Sequence, residues 1–511
     1  MINIKRSLCD ILGSEYCKAV NEVSSFTMGL NPIESFKTAN EKVSFVNDDF
    51  LNKQKELQGL IGEKLFTGLI VDNAGAPTEA FKKAFNKNMT PLGGIGAFRI
   101  GEDGRVYLAA KSEHYHVSLG HNFPGYRLIR IARELGIPNS THNNTRGFIT
   151  RTLERELIRT VNGIDKNDSC SFEKILASEE KGVLNRVINL ETGSLAVEAG
   201  VKMMLSRFYK LDKTFSEPKY SGKIPVFFVI ADNDSGFEAN YHGTTVITQT
   251  FRGMWPGLYK RFEENEIYKV VSVKINDIED FKGKIQKYNT GKYKAAGFLH
   301  EIILMNYGGI ILEKDYLAKA YELCRETDTF ILCDEIQSCM WYKGMYLHRL
   351  YSLRPDFVIL GKGFPGGEYP ASRIITTAKA DSLNQFGALV TNGQEELASL
   401  SYLITMEFAQ ANGDFIEKTG NYIESRLNEL KDKNPGSIAR IEGLGHLCAI
   451  HFHSVEETIA FVKKMNDMCI DVSAHTYKAN CPPAALLKPP IITTPDLVDT
   501  IIEKMESALK K

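Results

Sequence analysis

Four short, uniformly apolar runs limit what this chain can become: PVFFVIA (225–231), AAGFLH (295–300), TFILC (329–333) and DFVIL (356–360). They lack the alternation of a half-exposed strand and are too short for buried helices. They therefore read as strands covered on both faces, as in a parallel sheet. Helical stretches such as EKDYLAKAYELCRET (313–327) lie between some of them, and that alternation defines an α/β layered domain. The residues at the end of each strand narrow the function. Asp232 comes after the first, Glu301 after the second, Asp334-Glu335 after the third and Gly361-Lys362 after the fourth. Ligands of open α/β sheets bind outside the carboxyl ends of the strands, so charged groups are expected to converge on one binding edge.

The chain has 511 residues, too many for one ordinary core, which predicts two or more domains. Residues 1–90 are mainly helical in pattern and read as an N-terminal extension; NDDFLNKQKELQGLIGEKLF has helical spacing after an Asn-Asp start. AFRIGEDGRVYL (97–108) reads as a hairpin turning at Glu102-Asp103-Gly104. EELASLSYLITMEFAQ reads as a long helix ended near Asn412-Gly413. PPIITTPDLVDTIIEKMESALK reads as a strand, a Thr/Pro/Asp helix start and a closing helix. The expected division is the extension 1–90, a small α+β domain built from 91–150 with 396–511, and a large domain over 151–395.

Composition excludes several classes. Hydrophobic residues make up 43% and charged residues 24%, the content of a soluble globular protein. Lys and Arg total 62 against 63 Asp and Glu, a balance that gives no electrostatic reason to expect nucleic acid or an anionic membrane as partner. No apolar run approaches the roughly 18 residues of a membrane span. The start carries no apolar leader segment. Nine cysteines without a C-x-x-C or metal-ligand spacing read as reduced thiols of a cytoplasmic protein, with no metal expected. A small-molecule enzyme fits these numbers.

Gly361, Gly363 and Gly366 spell G-x-G-x-x-G after the fourth strand. A dinucleotide fingerprint needs a helix beginning within the glycines, so that the pyrophosphate rests on its amino end. Here Pro365 sits inside the loop, Pro370 comes soon after, and SRIITTA is β-rich. The alternative makes Lys362 a Schiff-base lysine: desolvation frees its amine to attack a carbonyl, and glycine neighbours leave room for a bulky cofactor. Asp334, 28 residues earlier at a strand end, is placed to hold a proton on a pyridine nitrogen, or to serve as a strand-end cap. Thr192-Gly193-Ser194 precedes the helical LAVEAGVKMMLSRFYK. Such a start suits a phosphate, although the same residues also serve as ordinary N-caps.

Six segments occur in the order seen in one family: LGHNFP (119–124), RVINLETGSLAVEAGVK (186–202), FEANYHGTT (237–245), CDEIQS (333–338), RPDFVILGKGFPGGEYPAS (354–372) and LVTNGQEELAS (389–399). Together they resemble the class III, or ornithine-type, aminotransferases, enzymes of fold type I that depend on pyridoxal 5'-phosphate. The resemblance spans about residues 95–400 and extends weakly to the end of the chain. It implies a large domain with a mostly parallel central sheet and a smaller α+β domain. It makes Lys362 the cofactor-binding lysine and the proton shuttle, Asp334 the partner of the ring nitrogen, and Gln337 the neighbour of the phenolic oxygen. Tyr241 stacks on the ring with His242 beside it. Thr192, Gly193 and Ser194 hold the phosphate, and Glu301 is a supporting acid. Thr391 matches a residue that reaches the phosphate bound by the other subunit, which implies a homodimer. The implied reaction moves an amino group from an amine or amino acid to a keto acid or aldehyde by a ping-pong mechanism. An aminomutase, decarboxylase or racemase of the same fold, or a scaffold that has lost turnover, are the alternatives.

The departures lie at substrate contacts. Thr244 stands where many members have a carboxylate-gripping Arg, and Leu486-Leu487-Lys488-Pro489-Pro490 offers only a lysine, out of register, for a second one. Leu195 replaces a Glu, SCMWYKG replaces a glycine-rich segment, and EIIL replaces E-P-[VI]-Q. Losing an Arg removes a bidentate carboxylate clamp. Arg373, Lys488 and Arg146 are the candidate replacements, and each also reads as a structural or surface cation.

Overall fold

The computed structural model describes residues 1–71, 73, 75–79, 89–111, 116–231, 243–476, 478 and 481–510. They form two compact units: Met1–Ile137 with Glu407–Thr476 and Pro482–Lys511, and Pro138–Met406 with Tyr477–Cys481.

The second unit is built on seven strands: β1 (Leu184–Leu190), β2 (Ile224–Ile230), β3 (Lys269–Val273), β4 (Tyr293–His300), β5 (Phe330–Asp334), β6 (Phe357–Leu360) and β7 (Ser372–Thr377). Their order across the sheet is β1-β7-β6-β5-β4-β2-β3. β7 runs antiparallel to both of its neighbours, and the remaining pairs are parallel. The four apolar runs are β2, β4, β5 and β6, which sit side by side in the middle, buried on both faces. Parallel neighbours require crossovers, and these put helices over the sheet. Helix α1 (Gly193–Leu205) buries Ala196, Val197, Ala199, Gly200, Val201, Met203 and Met204. Its small residues allow close approach: a Cβ on Gly200 would lie 2.7 Å from Leu332 of β5 and 3.3 Å from Ile374 of β7. Helix α2 (Lys314–Glu326) leads into β5 and buries Leu317, Ala320, Tyr321 and Cys324.

The first unit carries two four-stranded sheets. One is Ile438–Leu444, Leu447–Phe452, Ala484–Leu487 and Ser473–His475; the other is Ile470–Asp471, Val106–Ala109, Phe98–Gly101 and Pro91–Ile95. The expected hairpin is present, with Phe98 opposite Leu108 and Gly104 at φ +80° in its turn. Helices Gly413–Lys433, Val455–Asp467 and Pro495–Leu509 complete the core with Ile423, Leu427, Phe461, Ile501 and Met505. Asn412 alone separates two consecutive helices, Glu396–Ala411 and Gly413–Lys433. PPIITT is not a strand: the strand lies upstream at Ala484–Leu487, and Pro489 and Pro490 end it because neither can donate to a ladder. Near the amino end, helices Ser14–Met28, Pro32–Ala39 and Asp48–Gln58 come one after another; Asn47 caps the last, accepting from the Phe50 amide at 2.8 Å.

Candidate active site

The carboxyl edge of the large sheet gathers the charged residues that end β4, β5 and β6. Asp334 closes β5 opposite Ile359 of β6 and is only 6% exposed. Its Oδ1 accepts a hydrogen bond from the Ile336 amide at 2.9 Å. Among the described residues, no cation forms an ion pair with it. Burial, and then the neighbouring Glu301 carboxylate, raise the Asp334 carboxyl far above its ordinary range. Glu301 is the first residue after β4 and is also buried. Its Oε1 accepts from Nε2 of Gln337 at 2.9 Å.

Lys362 lies two residues beyond β6, with φ +39°. A side chain in this left-handed region is costly and persists only where the surroundings enforce it. Desolvation lowers its ammonium from the usual lysine value, against the pull of Glu301 and Asp334. Lys362, Asp334, Glu301 and Gln337 thus share one neighbourhood where charge is poorly solvated.

The glycines around Lys362 serve packing. A Cβ on Gly363 would run into the ring of Trp341, and one on Gly361 would run into Ile336. No helix starts in this loop; turns lead directly to β7. The same Ile336 side chain would lie 2.8 Å from a Cβ on Gly193, so it touches both the lysine loop and the start of α1. Thr192 caps α1, its hydroxyl accepting from the Ser194 amide at 3.1 Å. Ser194 Oγ in turn accepts from the Thr244 amide at 3.2 Å. Thr244, in the place of the expected Arg, is drawn against this helix start. Tyr241 and His242, like Asp232, lie outside the described residues. Thr391 is exposed on a turn and makes no hydrogen bond to the lysine cluster among the described residues. Its turn is tied to β1 through Gln394, whose Oε1 accepts from Asn189 at 3.1 Å.

The candidate carboxylate-binding cations are otherwise engaged. Arg373 is 1% exposed; its guanidinium donates to Leu190 O at 3.2 Å, Ser372 O at 2.8 Å and Ser399 Oγ at 3.2 Å, and lies over Tyr402. Arg146 stands 3.7 Å from Glu154 at the surface. Lys488 belongs to the other unit and is fully buried there.

Sequence reasoning gave no role to Glu335. It is fully buried and its carboxylate accepts from the amides of Leu347 at 2.8 Å and His348 at 2.7 Å, and from Ser338 Oγ at 3.2 Å. The His348 ring Nδ1 lies 2.6 Å away. Glu335 therefore anchors 338–348 to the turn between Asp334 and Gln337. The only signal was two adjacent acids after an apolar strand, which does not reveal partners a dozen residues on. Replacing Glu335 by alanine leaves several buried donors unpaired and is expected to lower the unfolding free energy by about 3 kcal/mol, read by denaturant titration.

A mostly parallel seven-stranded sheet, with a desolvated lysine and a buried acid at its carboxyl edge, makes this unit an α/β layered domain with its site where such sheets bind ligands. Solved structures agree on the fold. Ornithine aminotransferase from Toxoplasma gondii matches with TM-score 0.63 at 18% identity, over 84% of this chain and 93% of that one. Adenosylmethionine-8-amino-7-oxononanoate aminotransferase from Methanocaldococcus jannaschii matches with TM-score 0.65 at 18% identity, over 90% and 99%. The family described as "Aminotransferase class-III" matches residues 93–509. The chain belongs to the class-III aminotransferases, pyridoxal-phosphate-dependent enzymes. It is 27% identical to the ornithine aminotransferase of Plasmodium chabaudi chabaudi over 342 residues, 64% of this chain and 74% of that protein. It is 23% identical to the ornithine aminotransferase of Halalkalibacterium halodurans over 452 residues, 86% and 99%.

Proposed function

We propose that this aminotransferase takes an amino group from an amine or amino acid and delivers it to a keto acid or aldehyde in two ping-pong half-reactions, with Lys362 as the reacting lysine. The observation that carries the reading is a desolvated lysine beside a buried carboxylate that forms no ion pair among the described residues. Such a carboxylate suits a protonated ring nitrogen, and such a lysine suits covalent attachment to a carbonyl, so the residues fit pyridoxal 5'-phosphate. When bound, the cofactor supplies an electron sink for the substrate carbon. Asp334 holds a proton on the ring nitrogen. Lys362, as a free amine, would remove the proton from the substrate carbon and return it at the other end of the transfer. Gln337, oriented by Glu301, would lie near the phenolic oxygen. Thr192, Gly193 and Ser194 offer hydroxyls and amides to the phosphate at the amino end of α1. Tyr241 covers the ring face with His242 beside it, as the resemblance implies.

The same reading includes a cytoplasmic homodimer in which Thr391 reaches the phosphate of the neighbouring site; its exposure on a turn supports this. No helix among the described residues is long and apolar enough to cross a membrane. The neutral Thr244, and a lysine out of register in place of the second arginine, argue for an amino donor or acceptor without the usual pair of carboxylates.

The test is a single-turnover screen of amines against cofactor-loaded protein, following its visible absorption. At least one amine should change the spectrum, and a keto acid or aldehyde should restore it. A change that no acceptor restores would point to another reaction on the same cofactor. Silence toward every amine would overturn the proposal.

A further inference from the structure

The edge of the sheet opposite Lys362 holds a cavity of about 370 Å³ lined by four cations, Lys181, Arg207, Lys219 and Lys379, and one carboxylate, Asp328. The topology brings them together. Lys181 precedes β1, Lys219 precedes β2, Asp328 precedes β5, Arg207 comes after α1, and Lys379 comes after the antiparallel β7. All five therefore sit at the amino ends of the parallel strands, away from the catalytic edge.

Asp328 organises the cations without neutralising them. Its Oδ1 lies 2.6 Å from Lys181 Nζ, and its Oδ2 lies 2.7 Å from Lys219 Nζ. The same Oδ2 accepts from the Arg207 guanidinium and from the Tyr220 hydroxyl. The Arg207 guanidinium carbon lies over the rings of Tyr220 and Phe330, 4.8 Å and 4.3 Å from their centroids. Lys379 is exposed and makes no ion pair among the described residues. A further cation, Lys294, lies behind the wall with Nζ 5.0 Å from the Tyr220 ring. Burial, and then repulsion from Arg207, push Lys294 down to about 8. Positive charge is thus in excess around one acid, in a site whose fixed arginine and point-charge lysines match phosphate oxygens. Ser206 and Ser382 add a hydroxyl pair at 2.7 Å, and Met203, Phe330 and Ala380 give an apolar wall.

We infer that this cavity is a second, non-catalytic site that binds a small molecule carrying a phosphate or oligophosphate group. Its volume falls at the small end of ligand sites, roughly 300–1,000 Å³. Lys181, Arg207 and Lys219 are pre-placed by Asp328, so little ordering is left for the moment of binding. Lys379 closes on the anion from the open side.

The test uses cofactor-loaded protein, so that the catalytic phosphate position is filled, with calorimetric titration of pyrophosphate, ATP and inorganic phosphate at constant ionic strength. Saturable binding of one pyrophosphate per chain is expected. Lys379→Glu should weaken it at least about tenfold through charge reversal at the mouth. Lys219→Gln combined with Lys379→Gln should weaken it further, with an unchanged melting temperature and unchanged amino-transfer rate without pyrophosphate. Binding that is equal in the wild type and both variants would overturn the assignment, as would binding that displaces the cofactor or is matched by citrate. Tighter binding of ATP than of pyrophosphate would identify the occupant as a nucleotide; the reverse order would identify the bare oligophosphate.

Discussion

Lys362→Ala is expected to lower amino-group transfer by at least about 10³-fold, the scale of losing a positioned proton-transfer group, and to abolish covalent retention of the cofactor. Borohydride treatment should fix the cofactor to the wild type and leave the variant unlabelled. Two features at this position make the effect specific. The ammonium is destabilised by desolvation, so the neutral amine needed for attack is easier to reach than for a solvated lysine. The backbone is left-handed at φ +39°, a strain that the fold carries at this residue. Lys362→Arg should be equally inactive, because a guanidinium cannot lose its proton at neutral pH. The sign of the stability change separates this from simple damage. A lysine whose folded pKa is lowered costs the fold stability in full below that folded value, and the cost fades as pH rises from there to the unfolded value near 10.5. Ligand-free Lys362→Ala should therefore melt no lower than the wild type at neutral pH. Retention of transfer within about tenfold would move the chemistry to another lysine.

The sequence made the centre of the sheet and its reactive edge readable for one physical reason. β2, β4, β5 and β6 are covered on both faces, so each announces itself as a continuous apolar run, and the residue that ends the run must lie at the carboxyl edge. Glu301, Asp334 and Lys362 could be positioned in this way from local pattern alone. β1 and β3 were not readable, and β7 showed only as the β-rich SRIITTA. β1 and β7 carry Asn185, Asn189 and Arg373 into the buried sheet, where their side chains donate hydrogen bonds to other segments. A single sequence does not show those partners. Glu335 and Trp341 escaped for the same reason. Glu335 meets acceptor-seeking amides at Leu347 and His348, and Trp341 fills the space that Gly363 leaves. Contacts between segments also set which cations are available. Arg373 could be read from sequence as a substrate clamp or a structural cation, and its guanidinium belongs to the core around Leu190 and Ser399. The basic cavity around Asp328 depends on five connections that no linear motif joins.

Asp334→Asn should have opposite effects on stability and turnover. A carboxylate whose folded pKa is raised favours its protonated form in the fold, so it costs stability as pH rises from its unfolded value, near 3.8, through the folded one. Asparagine removes that cost and keeps an oxygen for the Ile336 amide, which Asp334 accepts at 2.9 Å. The ligand-free variant should melt at or above the wild-type temperature at neutral pH, and lose less stability between pH 4 and neutrality. Turnover should fall about 10³-fold, the scale of losing one pre-placed electrostatic partner in a dry site. The gain in melting temperature on saturation with pyridoxal phosphate should shrink as well, because the anion that favours a protonated ring nitrogen is gone. Glu301, which also raises the Asp334 carboxyl, predicts a gradation: Glu301→Gln should relieve part of the same repulsion and cost less activity. A variant that melts lower and keeps its turnover would make Asp334 a structural cap at the end of β5 and leave the ring nitrogen to another group.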